Sequence, residues 1–169
     1  MHLIGIFANR SKFEIMKHKL ENKMNLKNMQ LLNINMKNIE NMKNISFETI
    51  VITNEINITN AETEKIVSKI CNNCKYIIMN ADIELYLPIQ ENKKINCITY
   101  GLNQKSTITI SSVQEEKALI YIQREIKNIE GIEIEMGELS INLEEYQHVE
   151  IEILLAICSI YLIYHKKVD

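Results

Sequence analysis

Short apolar runs alternate with helix-like spacing through the first half of the chain. The runs are rich in β-branched residues, which is typical of strands buried on both faces. Between them, apolar residues recur three or four positions apart, which predicts helices. The predicted strands are His2–Phe7, Met29–Ile34, Glu48–Thr53 and Tyr76–Met79. This alternation of strand and helix favours right-handed βαβ units and a parallel sheet.

Two of the intervening helices carry start signals. A hydroxyl residue followed three positions later by glutamate forms a capping box, which predicts that these helices begin at Ser11–Glu14 and Thr59–Glu62. A short helix is also possible within Asn35–Ile45. The apolar positions are Phe13, Met16, Leu20 and Met24 in the first helix and Ile66, Val67, Ile70 and Cys71 in the last.

The pattern changes after Pro88, where strand-like segments follow one another with few helical signals between them. They are predicted at Asn96–Tyr100, Ser106–Ser111, Leu119–Glu125 and Ile132–Met136, and the last alternates so cleanly that one of its faces should be exposed. An apolar helix, Val149–His165, closes the chain. We therefore expect an α/β fold. Its first half should hold a mainly parallel sheet with flanking helices, and its second half additional mixed or antiparallel strands.

The composition fits one globular domain over residues 1–169, because 46% of residues are apolar and proline and glycine are scarce. Residues 1–50 carry a net charge of +4 and residues 51–169 a net charge of −7. The basic start could meet an anion or the acidic face of a partner, or form a solvated helix face. No basic cluster is interleaved with aromatic residues, so we expect no nucleic-acid binding.

Nothing in the sequence indicates export or membrane insertion. Met1-His2 leads directly into a strand rather than into a signal peptide. The most apolar stretch, Ile153–Tyr164, is shorter than the roughly 20 residues that span a bilayer. We expect a cytoplasmic protein whose four cysteines are reduced.

Cys71-Asn-Asn-Cys74 has the spacing of a zinc-binding or redox pair. Its position at the end of a predicted helix is unfavourable for a thiolate, and Cys71 lies on the apolar stripe, so we interpret the pair as structural. The four histidines are scattered. The sequence therefore predicts neither a metal site nor a catalytic nucleophile pair.

Polar residues follow two of the predicted parallel strands. Thr53 and Asn54 follow one strand, and Asn80 and Asp82 follow the next. Ligands of open α/β sheets bind beyond the carboxyl ends of the strands, so these side chains could line a binding crevice. Asn and Asp also form turns readily, and that alternative stays open.

The order of these segments resembles the central ATPase domain of the Mur ligases. FETIVITNEINITNAETEKIVSKICNNCKYIIMNADIELYLPI resembles a stretch in which one strand ends in Thr-Asn and the next in an Asn-x-Asp turn. INCITYGLNQKSTITISSV resembles the following strand, which ends in Tyr-Gly, and HVEIEILLAICSIYLIY is similar to the closing helix. The resemblance implies a family-like central domain over 1–169. It places Asn80 and Asp82 near adenine and ribose, and Tyr100-Gly101 in the conserved turn of the domain.

The departures from that family concern its catalytic residues. The family's Gly-Thr-x-Gly-Lys-Thr/Ser phosphate loop is replaced by Phe7-Ala-Asn-Arg-Ser-Lys12, and its Asp-His by Asn57-Ile58. In the family's loop, backbone N–H groups converge on the phosphates and the lysine neutralises charge, whereas here a capping box starts the helix without such a nest. The resemblance therefore implies a reduced, non-catalytic relative that needs no cofactor.

Three hypotheses about function follow. The first is a binding or assembly module with a protein partner or a second copy, linked to cell-wall or sporulation processes. In that case the C-terminal helix either forms a dimer surface or packs on the sheet. The second is a sensor of a nucleotide or small anion, bound by Arg10, Lys12 and the strand-end residues. The third is an ATP- and Mg²⁺-dependent amide ligase that works with a partner and clamps phosphate with Arg10 and Lys12.

Overall fold

The structure is a computed structural model that describes residues 1–23, 28–54, 56–90 and 93–165. Within this part of the chain, eight strands form one sheet in the order β10-β7-β6-β5-β4-β3-β1-β2, and β8 pairs with β9. The strands are β1 (His2–Phe7), β2 (Met29–Ile34), β3 (Thr49–Ile52), β4 (Tyr76–Asn80), β5 (Asn96–Tyr100), β6 (Ile108–Val113), β7 (Lys117–Ile122), β8 (Ile126–Lys127), β9 (Glu133–Ile134) and β10 (Gly137–Asn142). The helices are α1 (Arg10–Lys23), α2 (Ala61–Asn72) and α3 (Ile151–Tyr164), with 3₁₀ helices at Met36–Met42 and Leu143–Tyr146.

The first half of the sheet is parallel, as the alternating pattern predicted. β1 lies between β2 and β3 and pairs with both in parallel, and β3, β4 and β5 continue in the same direction. The chain moves from β1 to one neighbour and then crosses back to the other. A doubly wound sheet has its topological switch point where the strand order reverses in this way. Here that point lies between the carboxyl ends of β1 and β3.

The second half of the sheet is antiparallel and is displaced along the strand direction. β6 pairs with β5 in parallel only through Ile108 and Tyr100, so β6 begins where β5 ends. β7 and β10 then follow as antiparallel neighbours of β6 and β7. β6, β7 and β10 therefore extend beyond the carboxyl ends of the parallel strands.

The helices cover the sheet from both sides. α1 and α3 share one apolar core with the sheet face that carries Ile4, Val51 and Ile78. α2 and the 3₁₀ helix Met36–Met42 cover the opposite face. All side chains from 153 to 160 are buried. The C-terminal helix thus packs on the sheet within the chain, as one of the two predicted alternatives had it. No helix in the described ranges combines the length and apolarity needed to cross a bilayer.

Both predicted capping boxes are wrong about the capping residue. Asn9 Oδ1 accepts the Lys12 N–H at 2.8 Å, and Asn60 Oδ1 accepts the Thr63 N–H at 2.9 Å. Ser11 is consequently inside α1. Asparagine caps a helix at least as well as serine or threonine, so the neighbouring asparagine prevails in both cases. Met24, which the helical spacing included, lies outside the described residues.

The last predicted strand is also wrong in position. Within Ile132–Met136, only Glu133 and Ile134 pair with another strand, and they do so with the two residues of β8. The strand that joins the sheet is β10, which begins at Gly137. The alternation changes phase within this stretch: apolar residues occupy positions 132, 134 and 136, and then 139 and 141. The change falls at Gly137-Glu138, where β10 begins, and the predicted strand covered only the first of the two alternating runs.

Glu48 joins three elements at the amino edge of the sheet. Its carboxylate accepts from Lys75 Nζ at 2.8 Å and is hydrogen-bonded to His2 Nδ1. Burial acts to raise the pKa of Glu48, but the hydrogen bonds from Lys75 and His2 outweigh it, and the net pKa is lowered. The ionised carboxylate therefore stabilises the folded state.

Glu48→Gln is expected to destabilise the protein at neutral pH by about 1–2 kcal/mol, because a charged hydrogen-bond acceptor is lost. A lowered folded-state pKa contributes stability above the unfolded pKa, which is lost as pH falls through the folded value. The difference from wild type, measured by urea unfolding, should therefore shrink as the pH falls below the ordinary glutamate pKa of about 4.5. Glu144→Gln, an exposed glutamate, serves as the control. A pH-independent difference would contradict this account.

Candidate functional site

Hydrogen bonds close the switch point between β1 and β3. Thr53 donates twice to the Phe7 carbonyl, from its backbone N–H at 3.1 Å and from its hydroxyl at 3.0 Å. With its amide oriented to satisfy both of its polar groups, Asn54 accepts from the Asn9 N–H at 3.2 Å and donates to the Thr53 carbonyl at 3.0 Å. The polar groups of Thr53 and Asn54 thus join the two strand ends to each other.

Lys12 lies between two carboxylates from the start of α3. Its Nζ is 3.4 Å from Glu150 Oε2 and 3.7 Å from Glu152 Oε2, and 21% of its side chain is exposed. The first turn of α1 is electropositive because its N–H groups point outward there. Glu150 and Glu152 therefore place negative charge beside the helix start at which a phosphate would otherwise be favoured.

Arg10 differs from Lys12 although both lie in the first turn of α1. It is exposed and forms no ion pair or hydrogen bond within the described part of the chain. Lys12 is therefore ion-paired within the chain, whereas Arg10 is not, and the predicted clamp of the two stays a prediction. Arg10 remains available to an anion that approaches from solvent.

Asp82 holds the loop that follows β5. Its carboxylate accepts from the Leu102 N–H at 2.6 Å and from the Asn103 N–H at 2.9 Å. Gly101 has φ +152°, and a Cβ at that position would lie 2.5 Å from Asp82 Oδ2. The Asn-x-Asp turn and the Tyr-Gly turn of the sequence are therefore one structural unit, in which glycine permits the close approach of the carboxylate.

Tyr100 and Asn80 lie on the α1/α3 face of the sheet beside this unit. Tyr100 is fully buried and its hydroxyl donates to the Ile52 carbonyl at 3.3 Å, across β4. Burial raises the pKa of Tyr100, and the nearby charges of Glu152 and Asp82 raise it further. Asn80 Oδ1 accepts the Asp82 N–H at 2.8 Å. Asn80 Nδ2 and Ser106 Oγ are buried without a partner in the described residues.

The predicted site residues thus form three groups at one edge of the sheet. Thr53 and Asn54 close the switch point, and Lys12 pairs with α3. The third group is Asn80, Asp82, Tyr100 and Gly101 around the loop after β5. Sequence reasoning missed Glu150 and Glu152. The basic charge of the first turn of α1 and the acidic start of the last helix were the signals that could have paired them.

Asn72 is another residue that sequence reasoning missed. Its Nδ2 donates to the Pro88 carbonyl at 3.0 Å and to the Ser68 carbonyl at 2.8 Å, and its Oδ1 accepts the Gln90 N–H at 2.8 Å. These bonds attach the segment between β4 and β5 to α2. A crossover helix usually joins two parallel strands, and this segment takes its place. The structural importance of Cys71-Asn-Asn-Cys74 therefore includes an asparagine between the cysteines.

The two cysteines of that motif are buried, unbonded thiols. Cys74 Sγ donates to the Cys71 carbonyl at 3.0 Å. Burial raises the pKa of each to about 12, with the neighbouring Cys74 adding to the shift at Cys71. The described residues contain no group of three His, Cys, Asp or Glu side chains placed to hold a metal ion. The pair therefore behaves as part of the core.

Gly101→Ala is expected to lower the free energy of unfolding by about 1–3 kcal/mol, because the backbone is strained for an L-residue and the methyl group meets Asp82. Gly137→Ala is the matched control, since a Cβ there meets nothing within 4 Å. Chemical denaturation measures both. Equal stability of the two variants would show that Asp82 does not occupy this position.

Thiol labelling with an aromatic disulfide reagent should distinguish the cysteines. Cys97 is the exposed cysteine, whereas Cys71, Cys74 and Cys158 are buried. We expect about one thiol to react in the native protein, because the reagent reaches Cys97 but not the three buried cysteines. All four should react in denaturant, where each can form the reacting thiolate. Cys97→Ser should abolish the native reaction. Rapid native labelling of Cys71 or Cys74 would contradict their place in the core.

Comparison with protein-family models and with curated protein sequences gave no match. The resemblance to the Mur ligases consequently stays a prediction from the residues quoted above.

Proposed function

We propose that the protein is a non-catalytic, Mur-ligase-like domain that serves as a binding or assembly module. The observation that carries the proposal is the pairing of Lys12 with Glu150 and Glu152. In the resemblance, Lys12 occupies the region of the phosphate-binding lysine. Here its charge is offset by two carboxylates of the same chain, so a triphosphate would meet negative charge where the family offers positive charge.

The switch point supports the same conclusion. A nucleotide-binding crevice needs free donors at the ends of β1 and β3, but Thr53 and the Asn9 N–H are engaged with the chain itself. Losing these bonds to admit a ligand would leave buried polar groups that the ligand would have to satisfy. A domain whose strand ends are hydrogen-bonded to each other is better suited to binding a partner on its surface than to hydrolysing ATP in the crevice.

A sensor of small anions or nucleotides is the second candidate. It is favoured by exposed Arg10 in the first turn of α1 and by the unpaired buried atoms Asn80 Nδ2 and Ser106 Oγ at the same edge. A ligand at a hundred times its dissociation constant would stabilise the fold by about 2.7 kcal/mol. A thermal-shift screen with nucleotides and inorganic phosphate therefore separates the two functions, because the module predicts no shift.

Isothermal titration with ATP and Mg²⁺ tests the leading proposal. We expect no binding to the wild type at micromolar ligand concentration. Glu150→Gln/Glu152→Gln releases Lys12 and should increase the affinity for inorganic triphosphate by about tenfold, a change of about 1.4 kcal/mol. Glu115→Gln/Glu116→Gln changes the net charge equally at the β6–β7 turn and is the matched control.

Two results would overturn the proposal. One is micromolar binding of ATP by the wild type that Lys12→Ala abolishes, which would show that Lys12 still serves phosphate. The other is turnover of ATP by the wild type. An equal gain of triphosphate affinity in both glutamine variants would instead remove the argument from Lys12, because net charge alone would explain it.

A further inference from the structure

β10 is an edge strand whose outward backbone groups can be identified. The Leu143 N–H donates to the Glu116 carbonyl at 2.8 Å, and the register pairs Asn142 with Lys117. In an antiparallel ladder, every second residue exchanges its hydrogen bonds with the partner strand. Leu139 and Ile141 therefore face β7 with their N–H and C=O groups. The backbone groups of Glu138, Ser140 and Asn142 point away from the sheet.

This edge carries few of the features that protect against a further strand. Exposed edges are commonly blocked by charged side chains, above all lysine, by proline or by a bulge. β10 reads Gly-Glu-Leu-Ser-Ile-Asn: it holds one charged residue, Glu138, but no lysine or proline, and its pairing with β7 runs without interruption over six residues. Directly before it, Ile132 and Met136 are 48% and 59% exposed. Within the described residues, the edge thus combines backbone N–H and C=O groups that have no strand partner with the exposed apolar side chains of Ile132 and Met136 at one end.

The charge around the edge selects the kind of partner. Residues 133–145, which comprise β10 and its flanks, contain five glutamates and no lysine or arginine, and of these five Glu133 pairs with Lys127. Glu135 and Glu144 flank the strand, are exposed and form no ion pair in the described residues. Glu138 lies within the strand and accepts from Ser111 Oγ at 2.9 Å. A second copy would bring equal acidic surfaces together, whereas a basic segment would find opposite charges.

We propose that β10 binds an extended, basic segment of a partner protein as an additional strand of the sheet. The inference rests on the proposed function as a binding module and names its docking surface. Main-chain hydrogen bonds to Glu138, Ser140 and Asn142 supply affinity, and alternating side chains supply specificity. Residues of the segment beside Leu139 and Ile141 are apolar, and those on the Glu138 face are lysine or arginine.

The probe is a fluorescein-labelled heptapeptide, Lys-Ile-Lys-Val-Lys-Ile-Lys, followed by fluorescence anisotropy. A block peptide with the same composition, Lys-Lys-Lys-Lys-Ile-Val-Ile, controls for charge alone. Ser140→Pro removes the central outward N–H without touching a bond to β7, because proline lacks that donor. Ser140→Thr is the matched control. We expect Ser140→Pro to weaken binding of the alternating peptide by about tenfold or more, and Ser140→Thr to leave it within about twofold.

Amide exchange of the wild type gives a second measurement that does not depend on a variant folding. Saturating alternating peptide should slow exchange at Glu138, Ser140 and Asn142 and leave Leu139 and Ile141 unchanged. Equal affinity for both peptides, equal affinity of both Ser140 variants, or no added protection at β10 would overturn the inference. A dimer in sedimentation velocity that Ser140→Pro dissolves would overturn it too, in favour of a second copy.

The failure of this inference can be told from the failure of the proposed function. ATP titration of the same samples reports on the carboxyl edge, whereas the peptide reports on β10. If neither ATP nor the peptide binds, only the inference about β10 is overturned. If ATP binds at micromolar concentration and Lys12→Ala abolishes that binding, the proposed function is overturned, whatever the result with the peptide.

Discussion

The contact of Lys12 with Glu150 and Glu152 sets the charge at the start of α1, at the carboxyl edge of the sheet. It joins the first turn of α1 to the start of α3, which are distant in sequence but share one apolar core on the same sheet face. Because α3 is buried along most of its length, its backbone holds the acidic start beside the first turn of α1. The side chains of Glu150 and Glu152 are themselves 65% and 44% exposed. The charge of Lys12 is thus paired within the chain.

The rest of the edge is organised around hydrogen bonds within the chain. Thr53 ties β3 to β1, and Asp82 holds the loop after β5 through two backbone N–H groups. Such contacts to an ionised group are shorter and stronger than those between neutral groups. The residues that the sequence marked as ligand-binding candidates are therefore also the residues that shape this edge. Their polar groups stabilise the fold, and the exception is Arg10, which forms no ion pair or hydrogen bond within the described residues.

Much of the parallel half could be predicted because its strands are buried on both faces. A run such as Ile50-Val51-Ile52 has no other favourable place than the interior of a sheet. The antiparallel half was harder, since two short alternating runs follow each other, with apolar residues at 132, 134 and 136 and then at 139 and 141. The first run was predicted as the strand, whereas the second run joins the sheet as β10. The helix caps failed because Asn9 and Asn60 compete with nearby hydroxyls. Asp82 and Gly101 follow two neighbouring strands, β4 and β5, and meet in the folded protein. Their spacing along the chain carries no information about this contact.

The most direct test of the closed edge is a residue-resolved NMR titration of the ¹⁵N-labelled protein with ATP and Mg²⁺ at millimolar concentration. The account predicts that the amide signals of Lys12, Thr53 and Asn54 stay in place, because their surroundings are already occupied by Glu150, Phe7 and Asn9. A progressive, saturable shift of these three signals would contradict it, since a nucleotide would then have entered the switch point.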